Sequence, residues 1–348
     1  MLYSIKSKHL NLIIILFLFI LFSFFYAKEY FLYHTGIAKT NSNFVDVKKS
    51  LSDFSFDKIR EIDGLEIYNT PDKNLLKLLV EKIRNAKTRV YIEAYIFTEK
   101  DLRDALIKAK KSGIDVKVEM EKNVYMAGNL NKNTYNELIK NNIEVVWSDS
   151  SDYSLNHSKF FIIDDEVVLS TGNFSYSMFT KNRDFILFIN DKIILKSLLE
   201  NFLLDFKKER DFVYDDNLVL SPFFSREKIE FLLKNAKSDI KLYFPYFEDD
   251  VLLKILEDKL NSGTNIEIVT DKNNERVNEL KNIGYKIKVL DKYTEHAKAI
   301  LIDGTYLYLG SINFSTYSLD KNKETGIIIK DKNIVSKFLD IYKEDFKE

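Results

Sequence analysis

The sequence predicts a mixed α/β protein: two similar lobes, each a β-sheet flanked by helices and related by an approximate two-fold axis, preceded by one amino-terminal transmembrane helix. Three observations lead there. An ordered series of short motifs recurs about 150 residues further along the chain. Within each copy, helical periodicity alternates with short aromatic and β-branched runs. Before both copies, Leu10 to Tyr26 is an apolar run without a single charge.

That run follows Lys6 and Lys8 and stands at the short end of what crosses a bilayer. It is longer than an ordinary signal-peptide core, and Phe25-Tyr26-Ala27 supplies only one small residue of an A-x-A cleavage pattern. An uncleaved single-pass anchor is therefore expected, with a cleaved signal peptide and secretion as the alternative. Basic residues ahead of the span favour a cytoplasmic amino terminus and an exported catalytic region. The expected organisation is a cytoplasmic tail (1–9), the anchor (10–27), a polar tether (28–60), a first lobe (61–212) and a second lobe (213–348).

The lobes repeat in order. Thr70-Pro71 returns as Ser221-Pro222, Asn85-Ala-Lys87-Thr88 as Asn235-Ala-Lys237-Ser238, and Ser112-Gly113 as Ser262-Gly263. In the first lobe, Leu75–Ala86 has helical spacing and Arg89–Phe97 reads as a strand. Asp101–Ser112 reads as a helix stopped by Gly113. The strand Ile114–Met120, a short helix Tyr135–Asn141 and the strand Ile143–Trp147 follow. The second lobe gives helix Arg226–Ala236, strand Ile240–Phe247, helix Asp249–Asn261, strand Ile266–Val269, helix Glu275–Asn282 and strand Lys286–Leu290. Such alternation places helices on both faces of a sheet.

Composition narrows the function. The 348 residues are 45% hydrophobic and 30% charged, a globular balance. Lys+Arg 52 against Asp+Glu 53 gives a net charge of −1. A nucleic-acid binder draws much of its affinity from neutralising phosphates, and this balance offers no such support. Cysteine is absent, which excludes disulfides, thiolate metal sites and cysteine nucleophiles.

The chain has only four histidines, and two of them, His157 and His296, stand in matching contexts. His157-Ser-Lys159 is followed by Asp164 and Asn173; His296-Ala-Lys298 is followed by Asp303 and Asn313. Each segment reads as a strand, a turn and a returning strand. In a strand, residues two apart share a face, so each lobe offers an imidazole beside an ammonium group. The returning strand carries its asparagine back to the same spot. With the lobes face to face, two lysines and two asparagines neutralise the equatorial oxygens of a phosphodiester transition state. One imidazole attacks phosphorus while the other protonates the leaving oxygen. Neither step needs a metal or cofactor. Asp184 and Glu324, at equal distances beyond Asn173 and Asn313, are the candidate carboxylates for setting each imidazole's tautomer.

The pattern H-x-K-x4-D-x6-G-S-x-N resembles the signature of the phospholipase D superfamily. His296, Lys298, Asp303, Gly310, Ser311 and Asn313 match it fully. The first copy reads Thr171-Gly172-Asn173, one residue shorter and without the Gly-Ser pair, so the counterpart of Ser311 is either Ser170 or Thr171. The resemblance covers both lobes. It implies a nucleophilic His157, an acid His296 and structural roles for Asp164 and Asp303. The repeat puts both half-sites in one chain, so a site complete without a partner, hence a monomer, is expected.

Other features carry less. Tyr243 to Phe247, Tyr95 and Phe97 fall at strand ends, where ligand loops gather, yet core packing is the simpler expectation for them and for Trp147. Asn123–Asn133 is either a lid or a surface insertion. Asn-x-Ser triplets at Asn156, Asn173 and Asn313 lie inside the motifs and are read as coincidental.

The expected function is cleavage or transfer of phospholipid headgroups at the membrane. A nuclease is the first rival, because the phosphodiester chemistry is the same. A cardiolipin-synthase-type transferase is the second, and a non-catalytic membrane-tethered binding protein the third.

Overall fold

The computed structural model describes residues 54–347, apart from Ser150, Asp152 and Arg210. The expected anchor, Leu10–Tyr26, lies outside the described residues. Among those described, no helix is long and apolar enough to cross a membrane. Residues 54–348 form one compact unit. Its first residues, Phe54 and Phe56, which the sequence places at the end of the tether, pack edge-on against Phe231. Arg60 then clamps Asp191 with two hydrogen bonds of 2.7 and 2.8 Å.

The first half supplies β1 (Leu65–Asn69), β2 (Arg89–Ala94), β3 (Asp115–Met120), β4 (Glu144–Trp147), β5 (Lys159–Ile163), β6 (Glu166–Ser170), β7 (Asn182–Arg183) and β8 (Phe185–Ile189). All but β7 form a seven-stranded sheet in the order β1-β8-β6-β5-β2-β3-β4. The second half supplies β9 (Leu218–Ser221), β10 (Asp239–Tyr243), β11 (Asn265–Thr270), β12 (Lys286–Val289), β13 (Thr294–Glu295), β14 (Ala299–Ile302), β15 (Tyr306–Gly310) and β16 (Glu324–Ile329). All but β13 form the order β12-β11-β10-β14-β15-β16-β9, the same arrangement read from the other end. In each sheet the three strands joined through helices run parallel and the rest antiparallel, as connection length requires.

Local chemistry places the expected helices within two residues of where periodicity put them, except that Tyr135–Asn141 begins three residues earlier, at Lys132. Asp72 and Asp249 accept the amides of Asn74 and Leu252 at the starts of Lys73–Arg84 and Asp250–Asn261. Gly113 and Gly263, at φ +87° and +91°, follow the helices Lys100–Lys111 and Asp250–Asn261 in the left-handed conformation that stops a helix.

Two of the expected strands are too long. Arg89–Phe97 and Ile240–Phe247 leave their sheets after Ala94 and Tyr243. The chain turns aside because Tyr95 N–H bonds to Ser158 O, and because Phe97 and Phe247 pair singly with Phe174 and Phe314. Phe97, Phe244 and Phe247 are buried, as core packing required. Trp147 is only half-buried, stacked on Tyr135 at 4.1 Å.

Alternation along β5 sends its residues into different cores. Phe160 and Ile162 join a cluster with Ala299 and Leu301 of β14, between the two sheets. That cluster also takes in Phe202 of helix Lys192–Phe206 and Phe338 of helix Lys332–Lys347. Phe161 and Ile163 face outward, onto the helices Lys73–Arg84 and Lys100–Lys111. The lobes are thus joined through a shared apolar layer.

Asp164 and Asp303 sit in the β5–β6 and β14–β15 turns at φ +52°, which Asp tolerates better than most residues. Asp164 accepts the amides of Lys87, Thr88 and Arg89 at 2.7–3.1 Å, and Asp303 those of Lys237, Ser238 and Asp239 at 2.8–3.0 Å. Burial alone would raise both carboxyls, but these donors hold them below the usual carboxylate range. The turns also locate the missing residue of the first motif. Asp164-Asp165 is a two-residue turn where Asp303-Gly304-Thr305 has three, and both copies are in step beyond it. Asp164→Ala and Asp303→Ala are each expected to lower the unfolding free energy by about 1–3 kcal/mol, read by urea titration. Turnover per folded molecule is expected to hold, because a five-residue strand, roughly 17 Å, separates turn from histidine.

Candidate active site

His157 and His296 do not lie within strands, as the sequence suggested. Each stands just before one, in a break where the chain pairs with the opposite lobe. β13, immediately before His296, runs parallel to β7. Asn156, immediately before His157, makes the matching bridge to Lys323. His157 N–H donates to Lys323 O at 2.7 Å, and His296 N–H to Arg183 O at 3.1 Å. The backbones that carry the imidazoles are therefore fixed from across the junction.

The carboxylates cross too. His157 Nδ1 is 2.7 Å from Glu324 Oε2, and His296 Nδ1 is 2.9 Å from Asp184 Oδ1. Each lobe's histidine is oriented by the other lobe's acid. Both acids are fully buried and further tied: Glu324 Oε1 accepts from Ser318 at 2.7 Å, and Asp184 Oδ1 from Thr171 at 2.9 Å. With Nδ1–H held by a carboxylate, Nε2 is the reactive nitrogen of each ring. Ser158 and Thr325 share a hydroxyl hydrogen bond of 2.9 Å across the same junction.

Thr171 is the counterpart of Ser311. Ser311 N–H donates to Thr325 O while its hydroxyl accepts the Thr325 amide; Thr171 does the same with Phe185. Ser170 takes the place of Gly310 at the strand end. Gly172 stands where the second copy has Ile312, and a Cβ there would lie 2.4 Å from Asp184 Oδ2. The departure of the first motif is thus matched to the close approach of its acid.

Lys298 Nζ lies 3.2 and 3.4 Å from the His296 ring nitrogens, and Lys159 Nζ bonds to the carbonyl of His157. Both lysines are buried. Asn173 and Asn313 are half-buried past the returning strands, and Asn173 Oδ1 is buried without a partner among the described residues. Tyr95 is buried, as expected, and packs edge-on against the His157 ring at 4.6 Å. Its hydroxyl accepts the amide of Tyr125, so the Asn123–Asn133 loop leans on the first histidine's wall. Asn156 is fully buried, which bars a glycan there.

Electrostatics favour neutral imidazoles and ionised acids. Burial pushes His157 down to about 4, with Lys159 and Lys298 adding to the fall and Glu324 opposing it. His296 is lowered by burial and the same two lysines, against Asp184. Burial also lowers both lysines. It would raise Glu324 and Asp184, but their histidines and lysines hold both below the usual range. Each imidazole lies within electrostatic reach of both lysines, which brings the two half-sites together at one place.

A fold that faces one histidine-bearing half with a second copy of itself defines a phosphodiesterase-type architecture. The family model described as cardiolipin synthase, PLD-like domain, matches residues 79–205 and 229–346. The chain belongs to the phospholipase D superfamily. It is 22% identical over 337 residues to cardiolipin synthase of Clostridium perfringens, covering 79% of this chain and 68% of that protein. Among solved structures, phosphatidylserine synthase of Haemophilus influenzae shares the fold at a TM-score of 0.70 and 15% identity, over 89% of this chain and 91% of that one. Polyphosphate kinase of Porphyromonas gingivalis shares it at 0.65 and 16% identity. That match covers 82% of this chain, which spans 51% of the kinase.

The depressed His157 pKa has a thermodynamic sign. The fold holds the ring near 4 against an ordinary value of 6.5, so the unfolded chain binds the proton first as pH falls. Its stability contribution is complete above pH 6.5 and is lost between 6.5 and 4. Scanning calorimetry across that window is expected to show a smaller fall in melting temperature for His157→Asn than for wild type.

Proposed function

We propose that the protein is a membrane-anchored phosphodiesterase that removes or exchanges phospholipid headgroups through a phosphohistidine intermediate. The observation that carries this reading is the crossed pairing of His157 with Glu324 and His296 with Asp184. In the first step His157 Nε2 attacks phosphorus and the P–O bond to the headgroup alcohol breaks, with His296 giving its proton to the departing oxygen. In the second, His296, now neutral, takes a proton from water or an alcohol. That oxygen attacks phosphorus and displaces His157.

Lys159 and Lys298, with Asn173 and Asn313, meet the nonbridging oxygens. An incoming phosphodiester also brings the negative charge that lets His296 hold its proton despite the two lysines. The lipid substrate class draws support from the apolar run Leu10–Tyr26, from the slightly acidic charge balance, and from relatives named for phospholipid synthesis. The same relatives favour transfer to an alcohol alongside hydrolysis. The expected setting is a single-pass protein with its amino terminus in the cytoplasm, its catalytic part exported, and both half-sites in one monomer.

The full chain, reconstituted in vesicles with a chelator present, tests this reading against phosphatidylcholine, phosphatidylglycerol and single-stranded DNA, with and without glycerol. Headgroup release is expected, and DNA cleavage alone contradicts the lipid reading. His157→Ala and His296→Ala are each expected to cost at least about 100-fold in turnover. Normal turnover in either variant contradicts the two-histidine mechanism.

A further inference from the structure

Lys323, next to Glu324, extends out of its own lobe into a buried group of acids on the other. Its Nζ lies 2.7 Å from Glu93, 2.5 Å from Asp205 and 3.8 Å from Glu119. Glu93 and Glu119 are register partners on β2 and β3, so their side chains share one face of the sheet and repel when both are charged. The Tyr153 ring closes another side, its centroid 5.9 Å from the ammonium group. Glu119 also accepts from Asn156 Nδ2 at 3.3 Å. The cluster thus grips the residue before His157 and the residue before Glu324, the two flanks of a single imidazole–carboxylate contact.

Among the described residues, the other half of the site has no such cluster of carboxylates. At the register positions matching Glu93 and Glu119, β10 and β11 carry Tyr243 and Val269. Arg183, next to Asp184, crosses instead to a single carboxylate, Asp345, at 2.7 Å. Where Asn156 is hydrogen-bonded to the cluster, its counterpart Glu295 is buried with no side-chain hydrogen-bond partner for either carboxyl oxygen among the described residues. The fold therefore fixes the His157 side with a cage of three carboxylates, and the His296 side with a single carboxylate that Tyr243 also reaches, aided by Thr70 O and the Tyr293 ring on Arg183.

We propose that Lys323, held by Glu93, Glu119 and Asp205, is a positioning residue that sets Glu324 against His157 and so aims the nucleophilic imidazole. The inference rests on the reading of His157 as the nucleophile. An attacking ring must stay in line with phosphorus through bond formation, and a displacement near 1 Å can cost about 100-fold. Burial pushes Glu119 up to about 8, with Lys323 opposing and Glu93 adding to the rise. Against the pull of burial, those same acids hold the Lys323 ammonium group well above its ordinary value, which suits a permanent anchor.

The test uses the full chain and bis(4-nitrophenyl) phosphate, a phosphodiester that leaves the natural substrate open. Lys323→Met is expected to lower kcat by about 10–100-fold, with KM within about twofold. The acid limb of its pH profile is expected to move to lower pH, because a loosened Glu324 no longer holds the His157 pKa up. Lys323→Arg is expected to recover most of kcat.

Bare buried acids can unfold a protein, so Lys323→Met is also combined with Glu93→Gln and Glu119→Gln. This triple variant is expected to keep a melting temperature near wild type while showing the same loss of kcat and the same shifted limb. Wild-type kinetics in either folded variant overturn the proposal. So does a loss that is uniform at every pH and follows melting temperature, or failure of both variants to fold, since each marks a purely structural role. Full turnover by His157→Ala would instead overturn the underlying reading of the nucleophile.

Discussion

An imidazole in one lobe and its orienting carboxylate in the other come together only when the two lobes dock in one register. That requirement shapes the structure around the site. The 2.7 Å contact of His157 with Glu324 and the 2.9 Å contact of His296 with Asp184 sit at the ends of reciprocal backbone bonds from His157 to Lys323 and from His296 to Arg183. Below them, Phe160 and Ile162 of one sheet meet Ala299 and Leu301 of the other in a shared apolar layer. That layer supplies cohesion, since apolar burial is strong but has no direction. The crossed polar contacts supply direction. Neither half holds a complete site, and the covalent link between halves brings them together without a second chain.

Burying two histidines, two lysines and two acids in one place is costly unless the charges are matched. Here the match is close to neutral: two acids held ionised, two rings held neutral, and lysines whose charge burial opposes. In the proposed mechanism, a phosphodiester monoanion would favour a proton on His296, the ring assigned as acid. The tendency toward neutral imidazoles suits the attacking role proposed for His157.

Much of this was legible in the chain. The repeat located both lobes because Asn85-Ala-Lys87-Thr88 and Asn235-Ala-Lys237-Ser238 are the segments whose amides meet Asp164 and Asp303. A functional Asp would not have required that upstream partner. The site residues were legible as two matching sets, but their crossing was not, because equal spacing fits acids serving their own lobe as well as the opposite one. Strand lengths failed at Tyr95 and Phe244, where aromatic, β-favouring residues continue past the point at which contacts within the same lobe redirect the backbone. The residue by which the first motif is shorter could not be placed from the spacing, because it belongs to a hairpin turn. Lys323 gave no signal, since a lysine beside a glutamate reads as solvated surface until the opposing lobe closes over it.

The central claim is that one histidine of the crossed pair carries the phosphoryl group and the other does not. It is tested most directly by mixing the full chain with phosphatidylglycerol, quenching in alkaline denaturant during turnover, and mapping the modified peptide by mass spectrometry. A phosphatidyl adduct confined to His157, lost in His157→Ala and accumulating in His296→Ala, is the expected result. An adduct on His296, or turnover with no histidine adduct at any time, would contradict it.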